Sequence, residues 1–232
     1  MHKNTLLNPR IVERAKEMLR RSDLAYDAIR ESIASGRIKP GEWLRQEVLA
    51  QELAISQPTI REALSRLVAE GLAVQVPYKG VKSISLPRED LEDVFETRAA
   101  LQGLAMERAS RCITSKNLAR MRELLPHTVM SSDPNSADKA WEANREFHWI
   151  AIRASRRRHL IRLLGQLWDL TNPYLLICRG TEVEQTEASQ MELLDHTQIL
   201  EALEARDGKK ARKLTERHLL RTLKKLKTLI PE

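Results

Sequence analysis

The sequence predicts a mainly α-helical protein with two parts, an N-terminal winged helix-turn-helix and a C-terminal all-α antiparallel helical bundle. Leu, Ala, Glu, Arg and Lys are abundant and only eight residues are glycine, a composition that favours helices. A hairpin signal lies near residue 80, and beyond residue 89 every periodic segment has helical spacing. The 232 residues suit two modest domains better than one.

The first domain is predicted at residues 23–84, after a polar and basic N-terminal arm at residues 1–22. Apolar residues at helical spacing in LAYDAIRESIASG, starting at Leu24, indicate a first helix. A short second helix follows in QEVLAQELA, and Ser56 is a good N-cap for a third in SQPTIREALSRLVAEG. The segment LAVQVPYKGVKSISL alternates around a glycine-containing turn, which is typical of a hairpin. This order of elements predicts a winged helix-turn-helix.

The third helix begins with hydrogen-bonding side chains, and a recognition helix contacts base edges near its start. Arg61 can bind guanine through two hydrogen bonds or clamp a phosphate, and Gln57 can pair with adenine. The residues predicted to bind DNA are Arg45, Ser56, Gln57, Thr59, Arg61, Lys79 and Gly80. A solvated helix face is the alternative interpretation of these polar side chains.

Charge and composition agree with a DNA-binding protein of the cytoplasm. The formal net charge of +7 fits a polyanionic partner without proving one. The two cysteines, Cys112 and Cys178, form no CxxC pair, which favours a reducing compartment over a disulfide scaffold. No run of about 18 apolar residues is present, so we expect no membrane span.

The second domain is predicted at residues 90–232, after a linker at residues 85–89. Six helical stretches joined by short breaks predict an antiparallel bundle. Their approximate bounds are 89–112, 115–130, 137–155, 157–178, 184–206 and 208–229.

Two parts of the chain resemble known domains. AIRESIASGRIKPGEWLRQEVLAQELAISQPTIREALSRLVAEGL resembles the DNA-binding domain of GntR-type regulators, although Gln57 stands where that family usually has arginine. EDLEDVFETRAALQGLAMERA, NREFH, DHTQILEAL and ERHL, within residues 89–229, resemble the FCD ligand-binding domain of the FadR branch. Six helices would suit its shorter, VanR-like subgroup. The resemblance implies a bacterial regulator that binds operator DNA as a homodimer and senses a small organic acid.

The same resemblance implies a divalent-metal site inside the bundle, formed by Asn144, His148, His196 and His218. Three imidazoles and one oxygen ligand suit Zn²⁺, Ni²⁺ or Mn²⁺. The family usually has aspartate where this chain has Asn144, whose amide oxygen is a weaker ligand. Taken alone, each histidine is more often a hydrogen-bonded core or surface residue than a ligand.

Arg98 stands where the resemblance places an arginine facing the ligand pocket. Its guanidinium can hold a carboxylate through two parallel hydrogen bonds, and an acid could also coordinate the metal directly. An interaction within its own helix is the alternative, because Glu96 and Gln102 lie nearby.

The sequence therefore predicts a ligand-responsive transcription regulator and not an enzyme, since no obvious acid and base pair accompanies the histidines. The expected partners are double-stranded operator DNA, a small carboxylate and a second copy of the chain. A metal-dependent enzyme and a DNA-binding dimer without a ligand are the alternatives.

Overall fold

The computed structural model of the protein describes residues 9–129, 136–177 and 185–229. None of its helices is both long and apolar enough, over the residues described, to cross a membrane. Cys112 has a free thiol, and Cys178 lies outside the described residues.

The chain divides into two compact units, Met1–Leu86 and Pro87–Glu232. The division falls within the linker predicted at residues 85–89. Residues 88 and 89 belong instead to the first helix of the second unit.

From residue 9 onward, the N-terminal unit has three helices followed by an antiparallel hairpin, in the predicted order. They are α1 (Pro9–Ala34), α2 (Gln46–Leu53), α3 (Gln57–Ala69), β1 (Ala73–Val76) and β2 (Gly80–Ser83). The predicted boundary between residues 22 and 23 falls inside α1, which also includes residues assigned to a separate arm. Pro9 is tolerated in the first helical turn, and no glycine or proline interrupts the sequence until Gly36.

The core of this unit lies between α1 and α3. Ile29 and Ile33 of α1 are 2% exposed, and they pack with apolar residues of α3 that are almost fully buried. Leu24, which we predicted to begin the buried stripe, is 64% exposed. Ala25 is fully buried instead, because the stripe follows the four-residue spacing from Ala25 through Ile29 to Ile33.

The hairpin is extended by a third segment that the sequence did not predict. Trp43 forms an isolated antiparallel bridge with Lys82. The Leu44 amide donates a 2.9 Å hydrogen bond to the Val81 carbonyl. This pairing joins the segment before α2 to the hairpin, and α3 also packs against β1.

Over its described residues the C-terminal unit contains six helices, in agreement with the predicted number. They are α4 (Arg88–Ala109), α5 (Ser115–Leu124), α6 (Ser136–Ala154), α7 (Arg158–Ile177), α8 (Gln185–Glu204) and α9 (Gly208–Leu229). A short 3₁₀ turn, Leu125–His127, follows α5. The central core is formed by large apolar side chains, among them Met106, Phe147, Leu164, Trp168, Ile199 and Leu203.

Helices α4 and α9 pack side by side, and two glycines permit their close approach. A Cβ atom on Gly103 of α4 would lie 2.8 Å from Glu216 Cγ. A Cβ atom on Gly208, where α9 begins, would lie 2.6 Å from Ser110 Oγ. Both distances are shorter than van der Waals contact, so a side chain at either position would force the neighbouring atoms to move.

Candidate functional site

The start of α3 presents a polar surface to solvent. The turn from α2 to α3 is made by Ala54, whose φ of 52° places it in the left-handed region. Ser56, Gln57 and Arg61 are exposed at the start of the next helix. Arg61 Nε donates a 3.4 Å hydrogen bond to Gln46 Oε1, so the two helices of the motif share this surface. Amide and guanidinium side chains are the groups that commonly bind base edges in the major groove, so Gln57 and Arg61 remain the predicted DNA contacts.

Thr59 does not belong to this surface, and the prediction that it binds DNA is corrected. Its side chain faces the core and is only 3% exposed. The register of α3 places it beside Ile60 and Ala63, which are fully buried. Its hydroxyl lies 2.8 Å from Ser56 Oγ. Ser56 occupies the N-cap position as predicted, but its side chain makes no capping hydrogen bond to the backbone.

Arg66 is the second arginine of α3, and it faces α1. Its Nη1 atom donates a 2.6 Å hydrogen bond to Asp23 Oδ1. Its guanidinium also lies 4.2 Å from the centre of the Tyr26 ring, a cation–π distance. Arg66 therefore anchors α3 to α1, whereas Arg61 remains on the exposed start of the helix.

The remaining residues predicted to bind DNA lie at two places, where Arg45 and Lys79 are exposed and Gly80 is half-buried. Arg45 is at the N-cap position of α2, and Lys79 and Gly80 are at the hairpin tip. Gly80 has a φ of 114°, which favours glycine, and no atom lies within 4 Å of where its Cβ would be. Tyr78 is fully exposed beside them, although the sequence analysis did not select it. Its position in the PYKG turn is the sequence feature that could have indicated an exposed residue at the hairpin tip.

Three buried histidines from three helices meet inside the bundle, as the resemblance implied. His148 of α6, His196 of α8 and His218 of α9 bring one nitrogen each within 4.8 Å of the others. The Nε2 atoms of His148 and His196 are 3.1 Å apart. Two nitrogens bound to one Zn²⁺ at about 2.0–2.1 Å would be separated by about 3.0–3.4 Å. The separation therefore fits two ligands of one ion.

The surroundings of His148 and His196 favour the neutral form of these two rings. Burial lowers the pKa of His148 well below its ordinary value, and the nearby His196, His218 and Arg98 lower it further. Burial also lowers the pKa of His196, and His218 adds to the shift. Neutral imidazole has a free lone pair, so these rings are ready to bind a cation at neutral pH.

Each histidine of the cluster is also held through its Nδ1 atom. His148 Nδ1 lies 3.3 Å from Gln102 Nε2, and His196 Nδ1 lies 3.0 Å from Thr128 Oγ1. His218 Nδ1 lies 3.4 Å from Asp195 Oδ2. Such outer partners fix the orientation of metal-binding imidazoles. Thr128 and Asp195 can accept a hydrogen bond from Nδ1–H, which leaves Nε2 of His196 and His218 with a free lone pair. The Gln102 amide donates to His148 Nδ1, so this ring carries its proton on Nε2 and would have to change tautomer to bind an ion through that atom.

Asp195 is a buried carboxylate that remains charged. Burial raises its pKa, but the hydrogen bond with His218 and the charges of Arg221 and Arg217 lower it more, so the net shift is downward. Arg221 Nη1 donates a 2.6 Å hydrogen bond to Asp195 Oδ2. A carboxylate in this position can accept a hydrogen bond from the His218 imidazole and increase the basicity of that ring.

Asn144 lies one helical turn before His148 and is partly buried. Its Nδ2 atom donates a 3.1 Å hydrogen bond to Glu192 Oε1, and Glu192 lies one turn before His196. The amide oxygen is the atom of Asn144 that could bind a metal. Its role as a ligand stays a prediction, and Glu192 is a neighbour that sequence analysis did not select.

Arg98 is a buried cation next to the histidines. It is 1% exposed, and its guanidinium lies 3.9 Å from the centre of the Trp168 ring. Its Nη1 atom donates a 2.5 Å hydrogen bond to Thr171 Oγ1. Burial lowers the pKa of Arg98 to about 9, against the opposing charge of Asp169, so the guanidinium is protonated at neutral pH.

Gln102 connects Arg98 to the histidine cluster. Arg98 Nε donates a 3.3 Å hydrogen bond to Gln102 Oε1, and the amide nitrogen of Gln102 contacts His148 Nδ1. The alternative of an interaction within the helix is thus partly realised, with Gln102. Glu96 is exposed, whereas Arg98 is buried. A positive group and a potential metal site form one hydrogen-bonded network.

Comparison with known proteins identifies both units. The profile of the gntR family of bacterial regulatory proteins matches residues 21–82, and that of the FCD domain matches residues 93–221. The chain is 28% identical to the HTH-type transcriptional repressor GlaR of Escherichia coli K12 over 200 residues, covering 84% of this chain and 90% of GlaR. The chain belongs to the GntR family and is a DNA-binding transcription regulator with an FCD effector-binding domain.

Solved structures share the fold. The structure of Escherichia coli McbR/YncC has a TM-score of 0.79 at 22% identity, covering 90% of this chain and 97% of that one. A GntR transcriptional regulator from Rhodococcus sp. RHA1 has a TM-score of 0.71 at 17% identity, covering 91% of this chain and 99% of that one.

Proposed function

We propose that the protein is a cytoplasmic, homodimeric regulator whose affinity for operator DNA changes when a small organic acid binds at Arg98. The observation that carries this proposal is the buried guanidinium of Arg98, linked through Gln102 to three buried histidines. The hydrogen bonds of the guanidinium to Gln102 and Thr171 use neutral acceptors, and a guanidinium can in addition hold a carboxylate through two parallel hydrogen bonds.

His148, His196 and His218 are the residues that would hold a divalent ion, with Asn144 as the proposed oxygen ligand. Zn²⁺, Ni²⁺ and Mn²⁺ all accept such ligands. When bound, the ion would supply a second positive charge and open coordination positions beside Arg98. Arg98 itself would orient a carboxylate by two hydrogen bonds, and Trp168 would exclude water from one face of the guanidinium.

The exposed start of α3 and the hairpin tip are the proposed DNA-binding surface. Arg45, Gln57 and Arg61 would contact the major groove or its phosphates, and Lys79 and Gly80 would contact the neighbouring backbone. In a dimer, two such surfaces would contact two half-sites. We infer two conformations of the protein, one that binds DNA and one that does not. An acid alters DNA affinity only if it binds these two conformations with different affinities.

The effector proposal is tested with DNA selected by the wild-type protein from a random duplex library. Acetate, propionate, lactate, succinate and malate are added separately, and duplex affinity is followed by fluorescence anisotropy. We expect one or more of these acids to change the affinity of the wild-type protein about tenfold or more, a coupling of about 1.4 kcal/mol. Arg98→Lys should weaken this response about tenfold, since lysine keeps the charge and loses the two-bond geometry.

Arg108→Lys is the matched control, because it makes the same exchange on α4 at a partly exposed position. It should respond to acids like the wild-type protein. The effector proposal is wrong if none of the acids changes duplex affinity, or if Arg98→Lys responds as strongly as the wild type.

Asp195→Asn is expected to lower metal affinity about 10–100-fold, the usual effect of removing an outer partner of a metal-binding histidine. The substitution preserves the shape of the side chain but removes the charge that His218 contacts. Competition with a metal-binding dye measures the affinity. Glu201→Gln, an exposed exchange of the same kind on α8, is the control and should leave it unchanged. Equal affinities in both variants would contradict the role of Asp195.

A further inference from the structure

Buried polar atoms without a hydrogen-bond partner are concentrated on α6 and α7, the helices that carry His148 and the Arg98 contacts Trp168 and Thr171. In the described part of the chain five such side-chain atoms occur: Ser22 Oγ, Trp149 Nε1, Trp168 Nε1, Asn172 Nδ2 and Asn172 Oδ1. Four of the five lie on α6 and α7. Leaving a buried polar group unpaired costs about 1–3 kcal/mol, so their concentration in one place calls for an explanation.

Asn172 is placed to face the Arg98 network. It is fully buried on α7 and lies four residues after Trp168, so the two side chains share a face of the helix. Trp168 contacts the Arg98 guanidinium, and its ring centre is 5.9 Å from that of His148. The preceding residue, Thr171, accepts the hydrogen bond from Arg98. Asn172 thus lies on α7 next to the two residues that contact Arg98, and this placement brings its amide near the place where the proposed acid would bind.

Local helix stability does not account for an asparagine at this position. Asparagine is a poor residue for a helix interior, and Asn172 precedes Pro173, which also lies inside α7. A residue before proline is disfavoured in helical conformation, and proline removes a helical hydrogen bond. Leucine at position 172 would suit a buried helix face better, so the amide points to a role in binding.

The amide of Asn172 has a chemical requirement that a simple carboxylate does not meet. Its Nδ2 group donates hydrogen bonds, but its Oδ1 atom needs a donor, and a carboxylate at neutral pH has none. A hydroxyl group both donates and accepts. The indole N–H groups of Trp149 and Trp168 are further donors, which suit additional oxygen atoms of a ligand.

We propose that Asn172 selects hydroxy acids from among the small carboxylates bound at Arg98. This inference rests on the proposed effector site. The carboxylate of the ligand would bind Arg98, and its hydroxyl would donate to Asn172 Oδ1 and accept from Asn172 Nδ2 or an indole N–H. A ligand ammonium group could also donate to Oδ1. The charges of Arg98 and Asp169 act on such a group in opposite directions, so the comparison of malate with aspartate decides between hydroxyl and ammonium.

The experiment compares matched acids by isothermal titration calorimetry on the full-length protein. The pairs are lactate with propionate and malate with succinate, and aspartate provides the ammonium analogue of malate. In the wild-type protein, each hydroxy acid that binds should do so about tenfold or more tightly than its partner without the hydroxyl. In Asn172→Leu this ratio should fall to about two or less, with the affinity of propionate or succinate almost unchanged.

A second measurement separates ligand selection from a structural role. In the ligand-free protein, Asn172→Leu should raise the melting temperature, because it removes two unpaired buried atoms and places an apolar side chain in the core. Asn117→Leu is the control, since Asn117 is paired in a capping box at the start of α5 and its loss should lower the melting temperature.

The outcomes distinguish this inference from the effector proposal. If propionate or succinate binds in a manner that depends on Arg98, but the hydroxyl adds nothing, only the role of Asn172 is overturned. Preference for aspartate over malate overturns it as well, as does a lower melting temperature of Asn172→Leu with an unchanged hydroxyl preference. If none of the acids binds the wild-type protein, the effector proposal fails and this inference fails with it.

Discussion

Replacing His196 with alanine is expected to lower the affinity for a divalent ion by more than about 100-fold, since losing only an outer partner costs about 10–100-fold. His196 is fully buried, and its Nε2 atom is 3.1 Å from that of His148. Its removal eliminates one of three imidazole ligands and leaves the remaining two without the geometry for tight binding. Native mass spectrometry of purified, dialysed protein measures the ion retained by each chain.

Stability provides a second measurement of the same substitution. A ligand that binds only the folded state at 100 times its Kd adds about 2.7 kcal/mol to the free energy of unfolding. A chelator should therefore lower the melting temperature of the wild-type protein by several degrees, and it should have almost no effect on His196→Ala. His159→Ala removes an exposed histidine of α7 and should behave like the wild type. Equal metal content in His196→Ala and His159→Ala would rule out the proposed site.

Arg61→Ala is expected to weaken binding to the selected operator duplex by about 5–150-fold for each recognition helix, the equivalent of about 1–3 kcal/mol. Arg61 is exposed near the start of α3, where a guanidinium can contact guanine or a phosphate. A base contact would relax sequence preference at one position of each half-site. If Arg61 contacts a phosphate instead, its loss would reduce the salt dependence of binding by about one ion per lost contact.

Arg66→Ala is the matched control because it removes the same charge from the same helix. Arg66 faces Asp23 and Tyr26 of α1, so its loss should affect folding stability more than DNA affinity. Anisotropy titrations at several salt concentrations, with circular dichroism as a check of folding, compare the two variants. The proposed interface is refuted if folded Arg61→Ala binds the duplex as tightly as the wild type.

The order of elements was predictable because it depends on local patterns. Apolar spacing and helix breaks predicted the three helices, the hairpin and the six-helix bundle, with bounds that differ by a few residues. The start of α1 was not predictable in this way. Residues 9–22 lack a clear apolar stripe, and yet nothing in their sequence stops a helix once α1 has formed. The bridge between Trp43 and Lys82 depends on packing between distant segments and left no periodic signal.

At the proposed DNA-binding surface, the sequence predicted the helix but not the direction in which each side chain points around its axis. Each residue turns the side chain by about 100°, so neighbours in sequence face different directions. Gln57 and Arg61 are exposed, but Thr59 between them points into the core. Leu24 and Ala25 were confused for the same reason. Hydrogen-bonding character alone did not distinguish a contact with DNA from a contact inside the protein.

The histidine cluster was predicted by resemblance, whereas its supporting residues were not. Spacing along one helix cannot show which residues of other helices lie opposite. Gln102, Thr128 and Asp195 come from three different segments, and each was an ordinary polar residue in the sequence. Asn172 also has no motif around it. Its unpaired amide became visible only when the burial of α7 was known.

Gly103 has a consequence for the ligand site although it contributes no side chain to it. It follows Gln102 directly on α4 and lies against Glu216 of α9, two residues before His218. The missing methyl group at this point lets the two helix backbones approach until the Glu216 side chain fills the space. A methyl group at position 103, next to Gln102, would lie 2.8 Å from Glu216 Cγ, so the side chain of Glu216 would have to move, two residues from His218.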